Sequence, residues 1–137
     1  MASNRWLLDT SYVLALELAN DQSHKSALQH WQKLGKKSPQ LVVTSFIFGE
    51  VVTFFNSRGY YSKAVEVGNR LLHSVSVEFV HVDEELLLEG WELLQQHQDK
   101  DFSLADCVSF VVMRRLGLTH ALTFDRHFTQ AGFLSEP

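Results

Sequence analysis

Four acidic residues of this chain follow or interrupt apolar runs, where a carboxylate needs a reason to be. Asp9 ends the run "LLDTS", Glu50 interrupts "SFIFGEVVTFF", Asp106 lies in "SLADCVSFVVM" and Asp125 follows "ALTF". A carboxylate removed from water is costly unless a hydrogen-bond donor or a cation compensates it. Each position has a structural explanation. Asp9 could cap the helix that begins near Ser11. Asp125 could close an Asx turn in "FDRHF". Ser103 and Asp106 have capping-box spacing, with Asp in the place of Glu. Glu50 could sit at the edge of an apolar stripe, although Gly49 beside it costs a helix about 1 kcal/mol relative to Ala. Taken together, the four suggest carboxylates converging on one spot. Such a cluster repels itself and needs a cation, and hard oxygen donors suit Mg²⁺ or Mn²⁺. Zinc fits less well: the seven histidines form no H-E-x-x-H motif, and the single cysteine gives no zinc ribbon. A carboxylate-held Mg²⁺ keeps positions open for phosphate oxygens, which points to phosphoryl or phosphodiester chemistry.

The elements that must position these acids alternate. Short apolar runs at 5–8, 41–44, 77–82 and 120–124 read as strands. Helical patterns are expected over 11–19, 23–35 (with Ser23 as N-cap), 45–57, 61–74, 83–97 and 103–117, and "GKKSPQ" at 35–40 is the clearest loop. Strands alternating with helices predict an α/β fold with a parallel sheet covered on both faces. In such folds sites form at the carboxyl ends of strands. Asp9 and Asp125 follow strands directly, and Asp106 opens the helix leading into the last strand. The helix from 103 is apolar on nearly every side, so it should be buried.

Composition sets the outer limits. The chain has 137 residues, 45% of them hydrophobic, with ten Phe and three Trp. No repeat or linker divides it, so residues 1–137 read as a single domain. Cys107 cannot form an internal disulfide and reads as a buried thiol, in keeping with a reducing compartment. "MASNRWLLDTS" carries no apolar leader, and no stretch approaches a membrane span, so a cytoplasmic location is expected. The net charge of −4 does not advertise a nucleic-acid binder, which usually shows a basic excess. The small basic clusters, Lys33 with Lys36 and Lys37 and Arg114 with Arg115, read as solvated helix ends.

The stretches "LLDTSYVLAL", "TSFIFGEVV", "SLADCVSF" and "LTFDRHF", in this order and over nearly the whole chain, resemble the PIN-domain family, and within it the VapC-type toxins of bacterial toxin–antitoxin pairs. The resemblance implies a three-layer α/β/α domain with a short parallel central sheet. It implies an Mg²⁺- or Mn²⁺-dependent ribonuclease whose catalytic and metal-binding acids are Asp9, Glu50, Asp106 and Asp125. Thr123 and Phe128 match the frame around the last acid, and Ser11 matches a supporting hydroxyl position. Asp101 competes with Asp106 for registry and reads as a solvated loop residue, with an accessory role left open. Because an acidic cleft repels RNA, basic side chains at its rim must hold the RNA backbone, and Arg126 is the best candidate. The implied partners are an RNA substrate, a small antitoxin that blocks the cleft, and a second copy in a homodimer. The alternative is a non-catalytic PIN-like module that binds RNA or protein. A haloacid-dehalogenase-type phosphatase would need an acid where Ser11 stands. A receiver domain would need adjacent acids after the first strand and a mid-chain Asp on a strand, and neither is present.

Overall fold

A computed structural model of the chain describes residues 4–137, so the start of "MASNRWLLDTS" lies outside the described residues. The elements run β1 (Arg5–Leu8), α1 (Thr10–Glu17), α2 (His24–Gly35), β2 (Gln40–Thr44), α3 (Ser45–Ser57), α4 (Tyr61–His73), β3 (Val77–Val80), α5 (Glu84–Gln96), α6 (Leu104–Leu116), β4 (His120–Leu122), α7 (His127–Gln130) and β5 (Leu134–Glu136). The five strands form one sheet in the order β3-β2-β1-β4-β5, and every pairing is parallel. The expected α/β architecture with helices flanking a parallel sheet is therefore present. No helix among the described residues is long and apolar enough to cross a membrane.

Local chemistry accounts for most boundaries. The Thr44 hydroxyl accepts from the Ile47 amide and starts α3, and the Asp83 carboxylate accepts from the Leu86 amide and starts α5. Gly117 closes α6 with φ of 68°, a left-handed conformation that suits glycine. Ser23 occupies the N-cap position of α2, but its side chain makes no cap bond. The turn before the helix is held instead by the Asp21 carboxylate, which accepts from the Ser23 amide. The third strand ends at Val80 and the fourth at Leu122, two residues short of expectation in each case. The chain leaves the sheet there to shape loops, and after β4 that loop carries Asp125. The short α7 and β5 carry too few residues to show a periodic pattern, and β5 is a partly exposed edge strand.

The sheet order fixes the site. From β1 the chain moves to β2 and then outward to β3. It returns through α5 and α6 to place β4 on the other side of β1. The topological switch point lies between β1 and β4, where the connections leave in opposite directions and open a crevice. Helix α6 packs so closely on α5 that a Cβ at Gly90 would lie 2.6 Å from Val108 Cγ2 and 3.3 Å from its backbone. Every residue of α6 from Asp106 to Met113 is buried, as the all-round apolar pattern predicts. Cys107 is among them, and burial pushes its thiol up to about 11.

Candidate metal centre at the sheet switch point

Asp9 leaves β1 at the crevice, its amide donating to Leu122 O of β4 at 3.0 Å. It holds the N-cap position of α1, yet its side chain makes no cap bond. The capping explanation is thus not realised. Instead, Asp9 Oδ2 accepts from Ser11 Oγ and Thr123 Oγ1, each at 2.8 Å. The two hydroxyls are 3.1 Å apart, and each takes one further amide: Ser11 Oγ that of Phe124, Thr123 Oγ1 that of Asp125. Asp9 is 6% exposed. Burial pushes its carboxyl up to about 6, the two hydroxyl bonds pull it down, and the nearby charges of Asp106 and Asp125 raise it further.

Asp106 is 7% exposed. Its capping box with Ser103 is complete: Ser103 Oγ accepts from the Asp106 amide at 3.0 Å, and Asp106 Oδ2 accepts from the Ser103 amide at 3.1 Å. The structural explanation is real but does not exhaust the residue. The same Oδ2 lies 2.8 Å from His127 Nδ1. Asp125 closes the anticipated Asx turn, its Oδ1 accepting from the His127 amide at 2.9 Å, and that oxygen lies 3.2 Å from His127 Nδ1. Asp106, Asp125 and His127 bring ligand atoms within 4.8 Å of one another.

His127 was not singled out from the sequence. The available signal was local and partial: an Asx turn at Asp125 brings the His127 amide to that carboxylate, but it does not fix where the ring points. Phe128 explains the rest of the frame. It is fully buried and packs edge-on against Phe110 with centroids 5.1 Å apart, anchoring α7. Glu50 is exposed, at the edge of the α3 stripe, and Thr10 Oγ1 donates to its Oε1 at 2.6 Å. It reaches the Asp9 segment through that hydroxyl and is outside the tight group. A Cβ at Gly49 would meet nothing within 4 Å, so close packing does not require that glycine. Asp101 is exposed at φ of 56° in the turn before α6, also outside the group. Arg126 is exposed at the start of α7, next to Asp125.

The donor chemistry fits a hard divalent ion. Carboxylate oxygens predominate, and a cation would offset the mutual repulsion of Asp9, Asp106 and Asp125 that the Asp9 shift records. The PIN domain matches residues 6–134. This chain belongs to the PIN domain family. Among the PIN proteins it resembles, the 23S rRNA-specific endonuclease VapC20 of Mycobacterium tuberculosis is 35% identical over 128 residues, covering 93% of this chain and 94% of that protein. The VapC ribonuclease of Aquifex aeolicus is 21% identical over 127 residues, covering 93% and 92%. The crystal structure of VapC20, described as a sarcin–ricin loop cleaving toxin, superposes with a TM-score of 0.84 at 34% identity, covering 93% of this chain and 95% of that one.

Proposed function

We propose that this PIN domain is a divalent-metal-dependent endoribonuclease, the toxin of a toxin–antitoxin pair, acting in the cytoplasm on ribosomal RNA. The observation that carries the reading is the meeting of Asp9, Asp106 and Asp125 at the β1–β4 switch point, in a fold shared with VapC20. Asp9, Glu50, Asp106 and Asp125 are the residues that would hold Mg²⁺ or Mn²⁺. When bound, such an ion supplies Lewis acidity toward a phosphodiester and lowers the pKa of a water. The chain's own residues prepare the site. Ser11 and Thr123 both donate to one oxygen of Asp9 and so fix the orientation of that carboxylate. Thr10 steadies Glu50 in the same way. Arg126 at the rim offers the positive charge that an RNA backbone needs beside an acidic cleft. The likeness to a protein described as a toxin supports an antitoxin partner that covers this cleft. A homodimer completes the reading and is checked by light scattering.

The test is cleavage of purified 23S rRNA and of total RNA in Mg²⁺, Mn²⁺ or EDTA. Cutting should require the metal. Asp9→Asn and Asp106→Asn should each lose at least about 100-fold in kcat/KM, the scale of a few kcal/mol of charge stabilisation. Arg126→Glu should raise KM more than it lowers kcat. Folded wild-type protein that binds the metal and cuts neither RNA would overturn the nuclease reading and favour a binding module.

A further inference from the structure

We infer that His127 gives the divalent-ion site a nitrogen donor through Nδ1, and so biases it toward a first-row transition ion, Mn²⁺ foremost, over Mg²⁺. This rests on the metal-dependent reading of the site above and adds a ligand to it. Three observations converge on Nδ1. It lies 2.8 Å from Asp106 Oδ2 and 3.2 Å from Asp125 Oδ1, so the ring nitrogen and two carboxylate oxygens face a common point. The ring is fixed from behind, edge-on against Phe102 with centroids 5.5 Å apart and an interplanar angle of 77°. The backbone is fixed too, because the His127 amide donates to Asp125 Oδ1 and the next residue, Phe128, is fully buried. A side chain that came to the acids by chance from solvent would lack both restraints.

The chemical consequence follows from ligand softness. Mg²⁺ takes oxygen ligands, keeps much of its water and gains little from an imidazole. First-row transition ions accept imidazole nitrogen, and Mn²⁺, the hardest of them, still accepts a site made mainly of carboxylates. A mixed nitrogen and oxygen set therefore separates two ions that an all-carboxylate cluster would treat more nearly alike. The competing role for His127 is to donate a hydrogen bond to carboxylates that alone touch the ion, orienting them without ligating. That role would leave the ion in an all-oxygen shell.

Electron spin echo envelope modulation of Mn²⁺ bound to the whole chain separates the two, because a directly bonded imidazole nitrogen imprints ¹⁴N modulation on the Mn²⁺ signal. The wild-type complex should show that modulation, and His127→Gln should lack it. His127→Asp, which returns an oxygen donor, should bind Mn²⁺ without the modulation and guards against a Gln variant that does not fold. By titration calorimetry, His127→Gln should weaken Mn²⁺ by about tenfold or more and Mg²⁺ by distinctly less. Bound Mn²⁺ without modulation in the wild type, modulation that persists in His127→Gln, or equal weakening of both ions would each overturn the inference and leave the nuclease reading intact. Failure of the wild-type chain to bind either ion would instead remove the metal-dependent reading on which it rests.

Discussion

Asp9 shows how one buried carboxylate is held and what it costs the fold. Its ordinary carboxyl would ionise near 3.8, whereas burial, with Asp106 and Asp125 adding to it against the Ser11 and Thr123 bonds, sets it near 6. The folded state therefore favours the protonated form. In metal-free protein its contribution is complete below the unfolded value, declines as pH rises from about 4 to 6, and is level above that. Asp9→Asn removes the titration. In EDTA at pH 7 the variant should be more stable than wild type by up to about 3 kcal/mol, and the difference should shrink toward zero near pH 4. Added Mn²⁺ should reverse the order, because binding to the folded state stabilises only the chain that retains the ligand. Thermal melts at two pH values, with and without the ion, check both signs. A wild-type chain that melts higher than Asp9→Asn in EDTA at pH 7 would mean that the carboxylate is better compensated than its burial indicates. Ser109 makes a simpler case. Its hydroxyl is buried without a hydrogen-bond partner, alone in this among the described side chains. Ser109→Ala should leave the melting temperature unchanged or raise it by a few degrees, since an unsatisfied buried hydroxyl costs on the order of 1–3 kcal/mol.

At the scale of elements, the helices reach the site only as well as they pack. Gly90 lets α5 approach α6, and the atoms a methyl would meet include the backbone of Val108 as well as its side chain. Gly90→Ala should gain about 1 kcal/mol in helix propensity but lose about 1–3 kcal/mol to overpacking. The expected net is destabilisation, read as a lower urea midpoint. Because α6 carries Asp106, the same variant should also weaken Mn²⁺ binding. On the other face, Glu17 of α1 meets Lys63 at 2.7 Å and Arg70 at 2.9 Å, both on α4. Burial alone would raise the Glu17 carboxyl, but the Arg70 and Lys63 partners outweigh it and hold the group below its usual range. Its folded-state value is depressed, so the contribution is present above about pH 4.5 and is lost as pH falls through the folded-state value. Glu17→Gln should therefore lower the melting temperature at pH 7, and the difference should vanish in strong acid. Helices α2, α4 and α5 were legible because each repeats an amphipathic pattern over 12 or 13 residues. The apolar α6 with one acid in its first turn was legible because burial of a whole helix leaves that residue conspicuous. His127 was not legible as a site residue. "FDRHF" announces the Asx turn, but nothing in it says that the His127 ring meets Asp106, 21 residues earlier in the chain.

For the whole molecule, the strand order places the acids together, and its last member was the least visible in the sequence. Strand β5 is three residues long, lies at an edge and precedes a proline, so neither alternation nor length announced it. Yet it ties the chain's end to the site. Glu136 O accepts from the Thr123 amide at 2.9 Å, bracing the residue that holds Asp9. Its carboxylate lies 2.9 Å from His30 Nε2 on α2, and His30 Nδ1 lies 2.8 Å from the hydroxyl of fully buried Tyr12 on α1. One chain of polar contacts thus runs from the edge strand through α2 to the first turn beyond Asp9. Removing the Glu136 side chain leaves a half-buried histidine and a buried phenol each short of support. Glu136→Ala should therefore cost about 1–3 kcal/mol of global stability. It should also speed hydrogen exchange at the Thr123 and Asp9 amides more than at amides of α4, which packs against β3 at the opposite edge of the sheet from β5. Because the contacts act in series, Tyr12→Phe and Glu136→Ala should not add: the double variant should lose less than the sum of the singles. Full additivity would mean that His30 re-satisfies itself from solvent and that β5 braces the site through its backbone alone.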